Sequence, residues 1–162
     1  MQNVEGNTQL RKNNKNLPWV SNYIDQLDNA KCIGVYRNDI NEKIYWFIAA
    51  PTHGTGKFGI SAIAEYNQVS GTISPVLVDT KGILKFNETY LITGINIIDK
   101  FLFWTDNQTE QKKINIDKFK TGSVNFVTHT KIPIYNQEAE VYQSNIIGQP
   151  DFLEEDITVI KK

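Results

Sequence analysis

The segment FLFWTDNQ, residues 101–108, decides the fold class that we predict for this chain. Its first four residues are bulky and apolar, and the following Thr-Asp-Asn is typical of a turn. Side chains alternate between the two faces of a strand, so Phe101 and Phe103 project to one side and Leu102 and Trp104 to the other. The pattern predicts a strand buried on both faces, as in stacked antiparallel sheets.

Turn-forming residues divide the middle of the chain into short strands. A four-stranded meander is predicted first, and a second group of strands follows, in which a tight turn at Asp99 and Lys100 joins two of them. The predicted strands cover residues 31–36, 43–49, 60–66, 72–78, 91–98, 101–105 and 112–116, with weaker patterns over 124–128, 132–135 and 157–160.

The two groups of strands resemble each other. IGVYRNDINEKIYWFIAA, residues 33–50, and ITGINIIDKFLFWTDN, residues 92–107, each have an early glycine (Gly34 or Gly94), a polar turn and an aromatic strand. Repeated meanders of this kind are typical of propeller blades. We therefore predict an all-β, mainly antiparallel fold of propeller-like stacked β-meanders that form an incomplete propeller. The predicted structural core contains Tyr45, Trp46, Phe47, Phe101, Phe103 and Trp104.

The chain divides into three predicted segments. Residues 1–29 form a polar N-terminal arm with a short helix over 17–29, and residues 30–119 hold two meander repeats, at 31–79 and 90–119. Residues 120–162 are predicted to be irregular and to contain some β-structure. Because closure of a propeller takes roughly four to eight blades, we expect the chain to continue in a longer protein.

Composition argues against several functional classes. With 17 basic and 18 acidic residues, the net charge of -1 gives no electrostatic support for binding nucleic acid or an anionic membrane. No apolar run reaches the length of a membrane-spanning helix. The single cysteine, Cys32, excludes an internal disulfide and is predicted to be a buried structural thiol. His53 and His129 lack partners at metal-ligand spacing, so no metal site and no cofactor are predicted.

One motif favours an enzyme. In PTHGTGKFG, residues 51–59, Gly54, Gly56 and Gly59 match the dinucleotide-binding pattern G-x-G-x-x-G, and Asp79 follows about twenty residues later. A nucleotide-binding oxidoreductase would need a helix after Gly59 to receive the pyrophosphate. The apolar pattern that follows is broken by Gly71 after about two helical turns, so a hairpin loop is the favoured interpretation.

Two further alternatives concern surface residues. The chain is a carbohydrate-binding module if Trp19 or Tyr36 lies exposed beside polar groups, because aromatic rings stack on sugars. Asp106, Asn107 and Glu110 resemble a cation-binding cluster but lack the ligand spacing of an EF-hand. Asp106 is instead predicted to accept hydrogen bonds from backbone N–H groups of its own turn.

A resemblance to a known family adds to these observations. NEKIYWFIAA, EYNQVSGTISPVLVD, LKFNETYLITGINIIDKFLFWTDNQTEQKKINIDKFK and EEDITVIKK resemble segments of large virion structural proteins of crAss-like bacteriophages that infect gut Bacteroidales, proteins assigned to the tail or its stabilisation. The resemblance is most specific over residues 90–119. That region is also similar to the Tyr-Trp-Thr-Asp repeat of receptor propellers, with Phe103 replacing the tyrosine.

The resemblance implies a non-enzymatic structural component of a phage virion, and of its tail in particular. Such a protein assembles in the cytoplasm of the bacterial host, acts through contacts with other virion proteins in an oligomeric assembly, and has no catalytic residues. We expect its contact surfaces to include the N-terminal arm and two loops. The loop residues concerned are His53, Lys57, Phe58, Asp106, Asn107 and Glu110.

Overall fold

The computed structural model describes residues 30–50, 59–144 and 148–160. The predicted N-terminal arm and the helix predicted over 17–29 lie outside the described residues. The described part is mainly antiparallel β-structure, as predicted. Its strands form three small sheets, and none of these described sheets closes into a barrel or a propeller.

The first sheet is the four-stranded meander that the sequence predicts. Its strands are β1 (Lys31–Asn38), β2 (Lys43–Ala49), β3 (Ser61–Asn67) and β4 (Thr72–Asp79), and they pair in chain order. Every neighbouring pair is antiparallel. This outcome confirms the prediction of a hairpin, and not a helix, after Gly59.

The second sheet contains most of the segment FLFWTDNQ. Its strands are β5 (Gly94–Ile98), β6 (Phe101–Thr105) and β7 (Lys112–Asn115), again antiparallel and in chain order. The tight turn between β5 and β6 is confirmed, and Asp99 takes a positive φ of 53° there. Such a φ is less costly for Asp than for most residues.

A helix that was not predicted follows β7. Helix α1 spans Ile116–Gly122, and the side chain of Asn115 accepts a hydrogen bond from the backbone N–H of Lys118 at 3.0 Å. Asn is a favourable N-cap because this bond satisfies an N–H group that the helix leaves without a partner. The strand predicted to reach residue 116 therefore ends at Asn115.

The remaining elements differ most from prediction. Strands β8 (Ile134–Asn136) and β9 (Val141–Gln143) form a two-stranded sheet, and helix α2 spans Glu154–Ile157. Predicted strands over 124–128 and 157–160 were wrong, since neither region is a strand. Three acidic residues occupy the first turn of α2, where negative charge stabilises the helix N-terminus, and Asp156 accepts a hydrogen bond from the Leu153 N–H at 2.8 Å.

An aromatic contact joins the first two sheets. The rings of Phe47 in β2 and Trp104 in β6 meet edge to face with centroids 5.6 Å apart, and Phe86 contacts both rings. Gly34 in β1 permits this approach, because a Cβ atom there would lie 3.0 Å from Ile92 Cβ and 3.1 Å from Ile95 Cδ1. The core around this contact also includes Ile33, Leu77, Ile114, Phe119, Phe152 and Ile157.

Strand β6 is buried on one face only, which corrects the prediction from its sequence. Leu102 and Trp104 point toward the first sheet and are almost fully buried, whereas Phe103 is half-buried and Phe101 is 39% exposed. β3 and the second half of β4 are buried on both faces, and Ala62 and Ala64 of β3 belong to a second cluster that contains Phe126. Small side chains on that face leave room for the covering segment.

Replacing Trp104 by alanine tests the contact between the sheets. Trp104 is 1% exposed, so we expect Trp104→Ala to lower the free energy of unfolding by about 3–5 kcal/mol, the usual cost of truncating a large core aromatic. Urea denaturation measures this change. Phe101→Ala in the same strand is the matched control and should cost about 1 kcal/mol, because part of that ring already meets water. Equal losses for the two variants would contradict the packing described here.

Candidate functional site

The structure places the six predicted core aromatics in different environments. Tyr45, Phe47 and Trp104 are buried. Trp46 is half-buried on the opposite face of the first sheet, where it stacks on Tyr66 with ring centroids 5.8 Å apart. Phe101 does not belong to the core, because it projects from the face of β6 that points away from the first sheet.

This projecting side is the outer face of the second sheet, which we define by Ile98, Phe101 and Phe103. Ile98 and Phe101 are directly paired across β5 and β6, and Ile98 is 55% exposed. Phe103 pairs with Lys113, whose Nζ lies 5.5 Å from the Phe101 ring centroid. The outer face thus carries three apolar side chains with Asn96, Lys113 and Asn115 paired beside them, and exposed apolar groups rimmed by polar residues often mark interaction sites.

The turn after β6 holds three of the predicted contact residues. Asp106 Oδ1 accepts hydrogen bonds from the backbone N–H groups of Gln108 at 3.0 Å and Thr109 at 2.8 Å, which confirms the predicted role of this carboxylate. Asn107 is exposed and has a φ of 58°, and Glu110, three residues later, is also exposed. The other predicted contact residues, His53, Lys57 and Phe58, lie outside the described residues.

The buried Lys112 side chain donates hydrogen bonds to residues of this turn. Lys112 is buried in β7, and its Nζ donates to Thr109 Oγ1 and to the Glu110 carbonyl oxygen, the latter at 3.1 Å. Burial lowers the pKa of Lys112, while the nearby charges of Asp106 and Glu154 act in the opposite direction. The ammonium group of Lys112 is thus bonded to its own turn.

A buried carboxylate ties the first sheet to α1. Glu65 is 1% exposed, and its oxygens accept bonds from Tyr45 Oη at 2.9 Å, Lys43 Nζ at 3.3 Å and Lys120 Nζ at 2.6 Å. Burial raises the pKa of Glu65, but the hydrogen bond and charge of Lys120, together with Tyr45 and Lys43, outweigh it and hold the pKa below its ordinary value. Glu65 is therefore a charged link between two elements.

The dinucleotide hypothesis is not supported by the residues it requires. Residues Ser61–Asn67 are strand β3, so the helix N-terminus that would bind a pyrophosphate is not present after Gly59. Asp79, the proposed ribose ligand, is fully buried and accepts the N–H groups of Lys81 at 2.8 Å and Leu84 at 2.7 Å. Gly54 and Gly56 lie outside the described residues.

The carbohydrate hypothesis requires Trp19 or Tyr36 to lie exposed beside polar groups. Tyr36 is half-buried and packs against the main core, whereas Trp19 lies outside the described residues.

Cys32 was predicted to be buried, but it is exposed and its thiol donates to the Gly34 carbonyl oxygen at 3.4 Å. The alternation of β1 turns Ile33 inward and leaves Cys32 outside.

Sequence reasoning missed the buried charges. Glu65 stands two positions after Ile63 in a strand, so both side chains share the core-facing side of β3. An acidic residue at such a position was a signal for a buried ion-pair network. Lys112 occupies an equivalent inward position in β7, two residues before Ile114. No comparable sequence signal marked the buried His129, because its partners Thr80 and Phe152 lie 49 and 23 positions away in the chain.

Within residues 30–50, 59–144 and 148–160, no group of three or more His, Cys, Asp or Glu side chains is placed to hold a metal ion. None of the helices in this described part is long and apolar enough to span a membrane. Comparison of the chain with protein-family models, curated proteins and solved structures found no match.

The pH dependence of stability tests the Glu65 network. Because the pKa of folded Glu65 lies below the ordinary 4.5, its contribution is complete above that pH and is lost as the pH falls through the folded value. We expect Glu65→Gln to cost about 1–3 kcal/mol at neutral pH, the range for hydrogen bonds to charged groups. The variant should also lose less stability on acidification than the wild type does. Urea denaturation from about pH 7 to about pH 3.5 measures both effects.

The control is Asp39→Asn, which breaks an exposed pair with Arg37. It should change the free energy of unfolding by less than about 0.5 kcal/mol, because exposed ion pairs contribute little. Identical acid dependence in the wild type and the Glu65 variant would show that the network does not stabilise the fold.

Proposed function

We propose that this chain is a non-enzymatic structural component of a bacteriophage virion, most of all of its tail, and that it acts through protein–protein contacts. The observation that carries the proposal is the outer face, where Ile98 and Phe101 are exposed beside the half-buried Phe103. Monomeric proteins usually cover contiguous apolar side chains, and aromatic residues dominate the energetics of protein interfaces. Because residues 90–119 resemble segments of phage virion proteins, we infer that the partners of this surface are other virion proteins.

The way the two meanders meet supports a propeller-like arrangement within that role. Adjacent blades of a propeller bury their sheets face to face, and here Phe47 and Trp104 form such a contact between the first and second sheets. The outer face is the side on which a further blade would pack. In the proposed assembly, this position is filled by another part of the virion.

The polar groups of the described residues are consistent with a structural role. Glu65 and Asp79 are buried and bound by groups of the fold itself, and Lys112 directs its ammonium group to its own turn. Catalytic carboxylates and lysines instead need access to a substrate. In the proposed function these three residues hold the sheets and turns in place.

The first test asks whether the chain is part of virus particles. We expect mass spectrometry of phage particles purified from the source of the sequence to detect its peptides at a level comparable to those of other tail proteins. Immunogold labelling should then place it on the tail. Particles of normal morphology without these peptides would refute the proposed function.

The second test addresses the outer face. Phe101→Glu should weaken binding of the purified chain to tail proteins from dissociated particles by about 30-fold, equivalent to about 2 kcal/mol for an interface aromatic. Ile40→Glu is the matched control, because Ile40 is an exposed apolar residue in the turn between β1 and β2. Surface plasmon resonance measures both affinities. If the two variants bind alike, the contact does not use the outer face.

A further inference from the structure

His129 lies at the junction between β4 and the C-terminal part of the chain. The ring is 7% exposed and stacks on the Phe152 ring with centroids 4.5 Å apart and planes 4° from parallel. Its Nδ1 accepts a hydrogen bond from the backbone N–H of Thr80 at 3.1 Å. Since Nδ1 is an acceptor, the neutral ring carries its proton on Nε2, which faces the Phe152 carbonyl oxygen at 3.5 Å.

The next residue continues the same junction. The Thr130 N–H donates to the Val78 carbonyl oxygen at 2.9 Å, and Thr130 Oγ1 accepts the Val78 N–H at 2.7 Å. On its other side, Thr130 accepts the Phe152 N–H at 3.2 Å. His129, Thr130 and Phe152, which we call the histidine latch, therefore connect the edge strand β4 to the segment that leads into α2.

Protonation is incompatible with this geometry. A proton on Nδ1 would set two donors, the imidazolium and the Thr80 N–H, against each other at 3.1 Å. The Asp79 carboxylate lies 3.6 Å from Nδ1, beyond hydrogen-bond distance, so the ring would have to move to bond to it. Whether the ring turns toward Asp79 or moves out of its site, the Thr80 N–H loses its acceptor.

We propose that the histidine latch is an acid-sensitive switch, in which the bond between His129 Nδ1 and the Thr80 N–H ties the latch to the end of β4 when His129 is neutral and is lost when His129 is protonated. The inference does not depend on the virion role proposed above. It rests on the bond to Thr80, the stacking on Phe152 and the burial of the ring.

The charged groups around the ring act in both directions. Burial lowers the pKa of His129 below its ordinary 6.5, the Phe152 carbonyl and the carboxylates of Asp79 and Asp151 act to raise it, and Lys81 lowers it. Asp151 is itself paired with Lys81 and Lys131. Because the net shift is downward, the contribution of the latch is complete above pH 6.5 and is lost as the pH falls through the folded value.

Hydrogen exchange at Thr80 tests the switch directly. Between about pH 7.5 and about pH 4.5, a range that extends below the usual titration of histidine because burial lowers the pKa of His129, the protection of the Thr80 amide relative to its intrinsic exchange rate should fall about tenfold in the wild type. His129→Asn should abolish this dependence, because the asparagine carbonyl can replace Nδ1 as an acceptor at every pH. His53→Asn, the matched control at the other histidine, should behave as the wild type.

Two outcomes would overturn the switch: unchanged Thr80 protection in the wild type across this range, or an equal loss in His129→Asn. Should His129→Asn fail to fold, the His53→Asn chain contains a single histidine whose titration can be followed by NMR. We expect a midpoint below 6.5, and a midpoint at or above it would also overturn the switch.

Discussion

The fold depends on the burial of Trp104 against Phe47. An apolar sheet face must be buried against another element, and here the inner faces of the three- and four-stranded meanders cover each other. The edge-to-face contact fixes how the sheets meet, and Gly34 lets β1 approach close to Ile92 and Ile95. Helices α1 and α2 close the same core through Phe119 and Ile157.

The buried polar groups give this layered core its specificity. Glu65 joins β3 to α1 through Lys120, Lys112 supports the turn after β6, and His129 joins β4 to the C-terminal segment. Burying such groups is costly unless every donor and acceptor finds a partner, so each one favours a single arrangement of its neighbours. Apolar packing alone would permit more than one way for the segments after β4 to cover the sheets.

Local pattern predicted the strands well and the C-terminal part poorly, for physical reasons. Alternation and turn residues are local signals, and they placed β2 and β6 at their observed bounds. Helices α1 and α2 are short, so their sequences carry little helical periodicity, and their stability comes from Asn115, acidic first turns and burial of a few residues. The contacts of Glu65 and His129 join residues 55 and 49 positions apart, which no local pattern reveals.

The apolar pattern of FLFW overestimated burial in β6, and the proposed function gives that difference a cause. Sequence patterns record burial in the state on which selection acts, which for a virion component is the assembled particle. Within residues 30–50, 59–144 and 148–160, Leu102 and Trp104 on the inner face are buried, whereas Phe101 on the outer face is partly exposed. The polar turn beside β6 satisfies its own hydrogen bonds through Asp106. The partly exposed aromatic face of β6 is therefore a better sign of an interface than this turn.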